Sequence, residues 1–142
     1  MRAGYQVLRG ADPLGGSRVH RHDLRQALER EFRGKLLRLR QGYAMAAGDP
    51  KHLGELAAGS AATILVLLRA LLTLAGRTVP ASPAALATEA AGLIRVPAES
   101  LTTPVERRAE RGWRCTPEEF EQYLHAVARA AEYADHFQLG DQ

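Results

Sequence analysis

The chain has 142 residues, of which 46% are hydrophobic and 25% are charged, as in an ordinary globular domain and unlike a disordered chain. Aromatic residues make up only 6%, and alanine and leucine carry most of the apolar content, a mixture that favours helix over sheet. The formal net charge of +3 is smaller than the concentrated positive excess that is typical of nucleic-acid-binding domains.

The single cysteine, Cys115, excludes an intramolecular disulfide and any all-cysteine metal site. The first twenty residues contain no unbroken apolar segment of the kind found in a signal peptide. The most apolar run, residues 61–75, is interrupted by Arg69 and is too short to span a bilayer, so it predicts a buried core helix. We therefore expect a cytoplasmic protein with no membrane partner.

Residues 1–21 form a predicted non-helical N-terminal arm. The sequence at 5–8 fits a short strand, and residues 10–17 are turn-forming throughout. A strand this short is not stable alone, so it either pairs with something outside the chain or packs along the rest of the domain. The remaining residues, 22–142, form the predicted helical bundle domain.

Apolar residues at helical spacing predict two long helices, the first from about residue 22 to residue 47 and the second from about residue 50 to residue 75. Between them, Gly48-Asp49-Pro50 ends one helix and caps the next. The second helix is apolar nearly all round. We expect it to be central in the bundle, or to face both the core and a partner.

Shorter helices follow these two. Ser82-Pro83 predicts the start of a third helix, whereas residues 97–114 give weaker signals, with a turn of helix at 98–101 and another at 104–110. Thr116-Pro117-Glu118-Glu119 is a capping box that begins the last long helix. Short connections between these elements predict an all-α fold, an antiparallel bundle of four to five helices.

A charged strip on the first helix is the main candidate site. Glu31, Lys35 and Arg38 are four and three residues apart and border the apolar face. They form either a Glu–Lys pair on a solvated helix, or an interface where Lys35 and Arg38 meet a phosphate or a partner carboxylate. Arg69 interrupts a long apolar stretch, so we expect it to be buried and paired with Glu31, with another carboxylate of the bundle or with a residue of a second chain. These four residues are the predicted partner- or phosphate-binding site.

A second candidate is the pair Arg129 and His136, seven residues apart on one face of the last helix. This spacing resembles the Arg-x4–6-His motif of the HEPN ribonucleases, named for higher eukaryotes and prokaryotes nucleotide-binding. In that family the two side chains act on the scissile phosphate. The polar residue that usually follows the arginine is replaced here by Ala130, so we do not assign a catalytic residue.

Two further patterns fall short of metal sites. Gly16-Ser17 followed by Asp23 lacks the second carboxylate that a nucleotidyltransferase needs to clamp two metal ions. His20-x-His22 does not match a known ligand spacing. We expect neither a metal nor a cofactor.

Three segments resemble the region that follows the catalytic domain in a group of bacterial nucleotidyltransferase-like proteins: residues 5–14 (YQVLRGADPL), 28–40 (LEREFRGKLLRLR) and 69–72 (RALL). In those proteins a helical bundle, related to the HEPN and substrate-binding bundles, accompanies a minimal nucleotidyltransferase fold. The resemblance covers about residues 5–74 and, more loosely, the last helix. It implies a non-catalytic accessory module that packs on a nucleotidyltransferase domain, in cis or in trans, and helps to bind nucleotide or acceptor substrate.

Two alternatives stay open at this point. One is a HEPN-type ribonuclease or toxin that uses Arg129 and His136. The other is a purely structural dimer built on the second helix. Since that helix is apolar nearly all round, we expect a homodimer or a hetero-complex to which it contributes.

Overall fold

The computed structural model describes the backbone of residues 18–137 and the side chains of residues 20–137. Within this range the chain forms an all-α bundle, which confirms the predicted fold class. The predicted strand at 5–8 and most of the predicted arm lie outside the described residues. The five helices are α1 (Arg18–Ala46), α2 (Pro50–Leu74), α3 (Pro83–Ile94), α4 (Glu99–Arg107) and α5 (Pro117–His136).

The first helix, α1, begins at Arg18 and therefore earlier than the predicted start at His22-Asp23. Residues 18–22 contain no glycine or proline to break it. Its first turn is also held in place, because Arg21 Nη2 donates a hydrogen bond to the carbonyl oxygen of Leu74 over 2.9 Å. This contact places the start of α1 beside the end of α2.

The turn between α1 and α2 follows the predicted chemistry. Ala47 and Gly48 adopt positive φ angles of 52° and 80°, which end α1 in the left-handed region. Asp49 then caps α2, since its carboxylate accepts a hydrogen bond from the backbone nitrogen of Lys51 over 3.2 Å, and Pro50 occupies the first turn. The two helices form an antiparallel pair, which we call the α1–α2 hairpin.

The second helix is central, because it packs against all four others. Of the helices that the structure describes, only α2 is long and apolar enough to cross a membrane by length and composition. Its apolar residues are those of a core helix in this fold. Ten of its residues are buried: Leu53, Gly54, Ala57, Ala61, Ile64, Leu67, Leu68, Leu71, Leu72 and Leu74.

The fourth helix differs from the prediction of two separate turns. A single helix, α4, continues through Pro104 and ends at Arg107. Proline removes one backbone hydrogen bond from a helix interior, which normally breaks the helix. Here Leu101, Pro104 and Val105 are all buried, so packing against the bundle stabilises the helix in spite of the missing bond.

The segment that leads into α5 docks on the first turns of α2. Trp113 is only 5% exposed, and the backbone nitrogen of Cys115 donates a hydrogen bond to the carbonyl oxygen of Pro50 over 3.0 Å. Gly54 makes this approach possible, because a Cβ atom placed there would lie 1.9 Å from the carbonyl oxygen of Trp113. Because Gly54 has no Cβ atom, the segment around Trp113 can lie directly against α2.

The last helix, α5, starts at the predicted capping box of Thr116 and Glu119. It packs most extensively on α1. At its far end, Arg25 of α1 donates hydrogen bonds to the carbonyl oxygens of Ala134 and Asp135 over 3.1 and 3.2 Å. A guanidinium at the carboxyl end of a helix satisfies free carbonyl groups and complements the helix dipole, so this contact joins the first and last helices.

Candidate functional site

The three charged residues of α1, Glu31, Lys35 and Arg38, lie beside the seam between α1 and α2, and we call them the α1 strip. Glu31 and Arg38 are exposed and Lys35 is half-buried. Gly42 follows Arg38 by one turn and faces α2, since a Cβ atom placed there would lie 2.7 Å from Leu56 Cδ1. The strip therefore forms one edge of the α1–α2 hairpin, at the surface.

Within the described part of the chain, no residue of the α1 strip forms an ion pair, and the Glu31–Lys35 pair considered above is not formed. The opposite flank of α1 behaves differently. There Arg33 Nε lies 3.0 Å from Glu29 Oε2, and Arg33 Nη2 lies 3.7 Å from Asp135 Oδ2 on α5. On the α5 side, the positive charge of Arg33 is thus paired with carboxylates. Lys35 and Arg38 have no such partner among the described residues and can bind an anionic group.

The expectation that Arg69 is buried is wrong. Arg69 is exposed, and it forms no ion pair with a described residue. It lies thirteen positions after Leu56, which places it roughly 140° around α2 from the side that meets α1. The structure therefore does not bring Arg69 together with the α1 strip.

Large apolar side chains are exposed on the α1–α2 hairpin. Among the described residues, the exposed large hydrophobic side chains are Leu37, Met45 and Val66, with 57%, 79% and 65% of their surface accessible. Of the apolar residues in the middle and last turns of α2, Leu72 is buried, Leu65 is half-buried and Val66 is exposed. Leu37 and Met45 belong to α1, and Val66 belongs to α2.

The outward side of α2, which we call the α2 outer face, mixes charged, small and apolar residues. All of its members are exposed, and they recur every three or four positions along the helix. They are Lys51, Glu55, Gly59, Ala62, Val66, Arg69 and Thr73.

Glu132, which lies between them on the same helix, contacts both Arg129 and His136. Arg129 Nη1 lies 2.6 Å from Glu132 Oε1, and His136 Nδ1 lies 3.0 Å from the carbonyl oxygen of the same residue. The signal was present in the sequence, since a glutamate three positions after an arginine shares its helix face. A phosphate at this position has to compete with the Glu132 carboxylate for the guanidinium.

Two cavities flank Trp113, and Cys115 lines the smaller one, of about 70 Å³. That volume holds only a water molecule or two. Burial, and secondly the Glu119 carboxylate, raise the pKa of the Cys115 thiol to about 12. The thiol is therefore protonated at neutral pH, whereas a nucleophilic cysteine must ionise.

In the part of the chain that the structure describes, no three His, Cys, Asp or Glu side chains are grouped in a way that could hold a metal ion. The Gly16-Ser17 turn lies outside the described residues, and Asp23 is exposed on α1.

No protein-family model, no curated protein and no solved structure matches the chain. Evidence about its function therefore comes from the residues and contacts of the bundle itself.

Proposed function

We propose that the chain is a non-catalytic helical module that binds a partner through the α1 strip. Its resemblance to bundles that accompany bacterial nucleotidyltransferases suggests the partner, a nucleotidyltransferase-type domain in cis or in trans in the cytoplasm. In that arrangement the same surface assists binding of nucleotide or acceptor substrate.

This proposal is carried by one observation, the lack of ion pairs at the two cations of the α1 strip. Lys35 and Arg38 have no carboxylate partner among the described residues, while Arg25 and Arg33 on the other flank of α1 do. A guanidinium and an ammonium group three residues apart suit a phosphate or a carboxylate surface, where charge-assisted hydrogen bonds form.

Apolar side chains next to the strip supply the contact area that charges alone do not. Leu37, Gln41 and Met45 step by four along α1 and border Arg38. Leu37 and Met45, the two apolar residues of this row, are 57% and 79% exposed. Exposed apolar side chains beside positive charges are common at protein interfaces, where the charges add specificity and speed association.

The ribonuclease alternative is less well supported by the geometry. It requires the Arg129 guanidinium to contact a phosphate, and that group is 2.6 Å from Glu132 Oε1. The purely structural alternative leaves the unpaired charges of the α1 strip without a role.

The proposal is tested with a Lys35→Ala plus Arg38→Ala double variant. The binding partner is the nucleotidyltransferase domain encoded beside this chain or fused to it, and titration calorimetry measures the affinity. Each lost charge-assisted contact is worth about 1.5–3 kcal/mol, so the double variant should bind at least about 100-fold more weakly. The loss should shrink as salt rises, because salt already weakens the wild-type contact.

A matched control removes two positive charges elsewhere, with Arg40→Ala plus Arg114→Ala. Both arginines are exposed and lie outside the α1 strip, so this control should retain wild-type affinity. Equal affinity of the strip variant and the wild type at low salt would show that α1 is not the binding surface. No binding by the wild-type chain would show that the partner is not a nucleotidyltransferase domain.

A further inference from the structure

The α2 outer face has the spacing of a helix–helix seam. From Glu55 to Thr73 its members follow one another at intervals of four, three, four, three and four residues. This alternation keeps one stripe of a helix facing a second, nearly parallel or antiparallel helix. In the described part of the chain no helix covers that stripe, because all of its members are exposed.

Charges are arranged symmetrically along this seam. Glu55 and Arg69 both lie seven residues from Ala62, one on each side. Neither forms an ion pair with a described residue of its own chain. Glu55 and Arg69 are therefore opposite in sign and equally distant from the centre of the seam, while the third charge of the face, Lys51, lies at its end.

We propose that the α2 outer face binds the same face of a second copy of this chain, with the two α2 helices antiparallel about a two-fold axis at Ala62. This arrangement places Glu55 of one copy opposite Arg69 of the other, and the symmetry forms the ion pair twice. A parallel arrangement in register would oppose like charges at both positions, so the charge pattern selects the antiparallel one.

Side-chain size supports the same geometry. Gly59 and Ala62 occupy the middle of the seam, where small residues let two helix axes approach to about 8 Å. Val66, which is 65% exposed in the single chain, then lies against the small residues of the other copy and becomes covered. Lys51 and Thr73 lie opposite each other at the ends, as a polar rim.

A second copy fits this face better than a lipid surface. Glu55 and Arg69 share the stripe with Val66, and burying such charges in hydrocarbon is costly. Opposed across a two-fold axis, the same charges stabilise each other. The inference goes beyond the proposed function, because it uses no residue of the α1 strip.

The test is a charge-reversal cycle on the full chain, with Arg69→Glu, Glu55→Arg and the two combined. Sedimentation equilibrium across a concentration series measures the dimer dissociation constant. The wild type should approach twice the chain mass of 15.5 kDa as its concentration rises. Each single reversal should raise the dissociation constant about tenfold or more, since two ion pairs become two repulsions. The combined variant should return close to the wild-type value.

Arg40→Glu is the matched control, since it makes the same charge change at an exposed position of α1 and should leave the dissociation constant unchanged. Circular dichroism verifies that every variant keeps its helical content. A wild type that stays monomeric at millimolar concentration would overturn the proposal. Single reversals without effect, or a combined variant that fails to recover, would overturn it as well, because either result means that Glu55 and Arg69 do not face each other.

Discussion

Gly54 provides a sharp test of how the bundle is held together, because a single methyl group there should displace a buried segment. The substitution Gly54→Ala adds a Cβ atom 1.9 Å from the carbonyl oxygen of Trp113 and 2.9 Å from its carbonyl carbon. Ordinary van der Waals contact begins at 3.4 Å. Since the obstacle is backbone, it does not rotate aside, and the segment has to move by about 1.5 Å.

The expected change in the free energy of unfolding is the sum of one stabilising and two destabilising contributions. Alanine in a helix interior is favoured over glycine by about 1 kcal/mol. Forcing an extra carbon into a packed contact costs about 1–3 kcal/mol. The hydrogen bond from Cys115 to Pro50, which lies beside the contact, adds about 0.5–1.5 kcal/mol if it is lost. The steric cost outweighs the gain, so Gly54→Ala should lower the free energy of unfolding by about 2 kcal/mol.

Urea unfolding measures this directly, followed by circular dichroism and by tryptophan fluorescence. Trp113 is the only tryptophan of the chain, so its emission reports on the displaced segment alone. Gly34→Ala is the control, because that glycine lies inside α1 with nothing within 4 Å of an added Cβ. It should raise stability by about 0.5–1 kcal/mol. If Gly54→Ala is as stable as Gly34→Ala and keeps the wild-type emission, the close approach to Trp113 does not exist.

Two further predictions concern chemistry. Burial raises the pKa of the Cys115 thiol from 9.0 to about 12, so the unfolded chain loses this proton at a lower pH than the folded chain does. The free energy of unfolding in urea should therefore fall as pH rises above 9, and it should fall less in Cys115→Ala. Stability that rises over this range would contradict the burial of the thiol. The purified protein should not cleave RNA, since Glu132 occupies the Arg129 guanidinium; cleavage that is lost in both Arg129→Ala and His136→Ala would establish the ribonuclease instead.

Much of the fold was predictable because its signals are local. The apolar stripe of α1 repeats every three or four residues, and Leu28, Phe32, Leu36 and Leu39 are buried as that repeat requires. The same is true of the helix ends, since the capping box at Thr116 depends only on residues within one turn. Periodicity and capping can be recognised without knowledge of the partners of each helix.

The features that the sequence did not predict depend on contacts between distant residues. Pro104 stays inside a helix because the bundle packs around it. Arg25 finds its partners more than a hundred positions away, at the end of α5. The burial expected for Arg69 was wrong for a different reason. A long apolar segment suggested burial on every side, although Glu55 and Val66 fall on the same stripe as Arg69 and mark it as the outward one.

The pairing of α1 with α5 has a consequence for synthesis on the ribosome. Tyr43 of α1 stacks on Phe120 of α5 with ring centroids 5.5 Å apart, yet all of residues 47–116 are made between the two helices. At about 5–20 residues per second this interval lasts roughly 4–14 s. Once α2 has been made within this interval, it covers only one flank of α1, and the other flank meets solvent or a chaperone. The nascent chain therefore completes its largest helix–helix contact only when its last helix emerges.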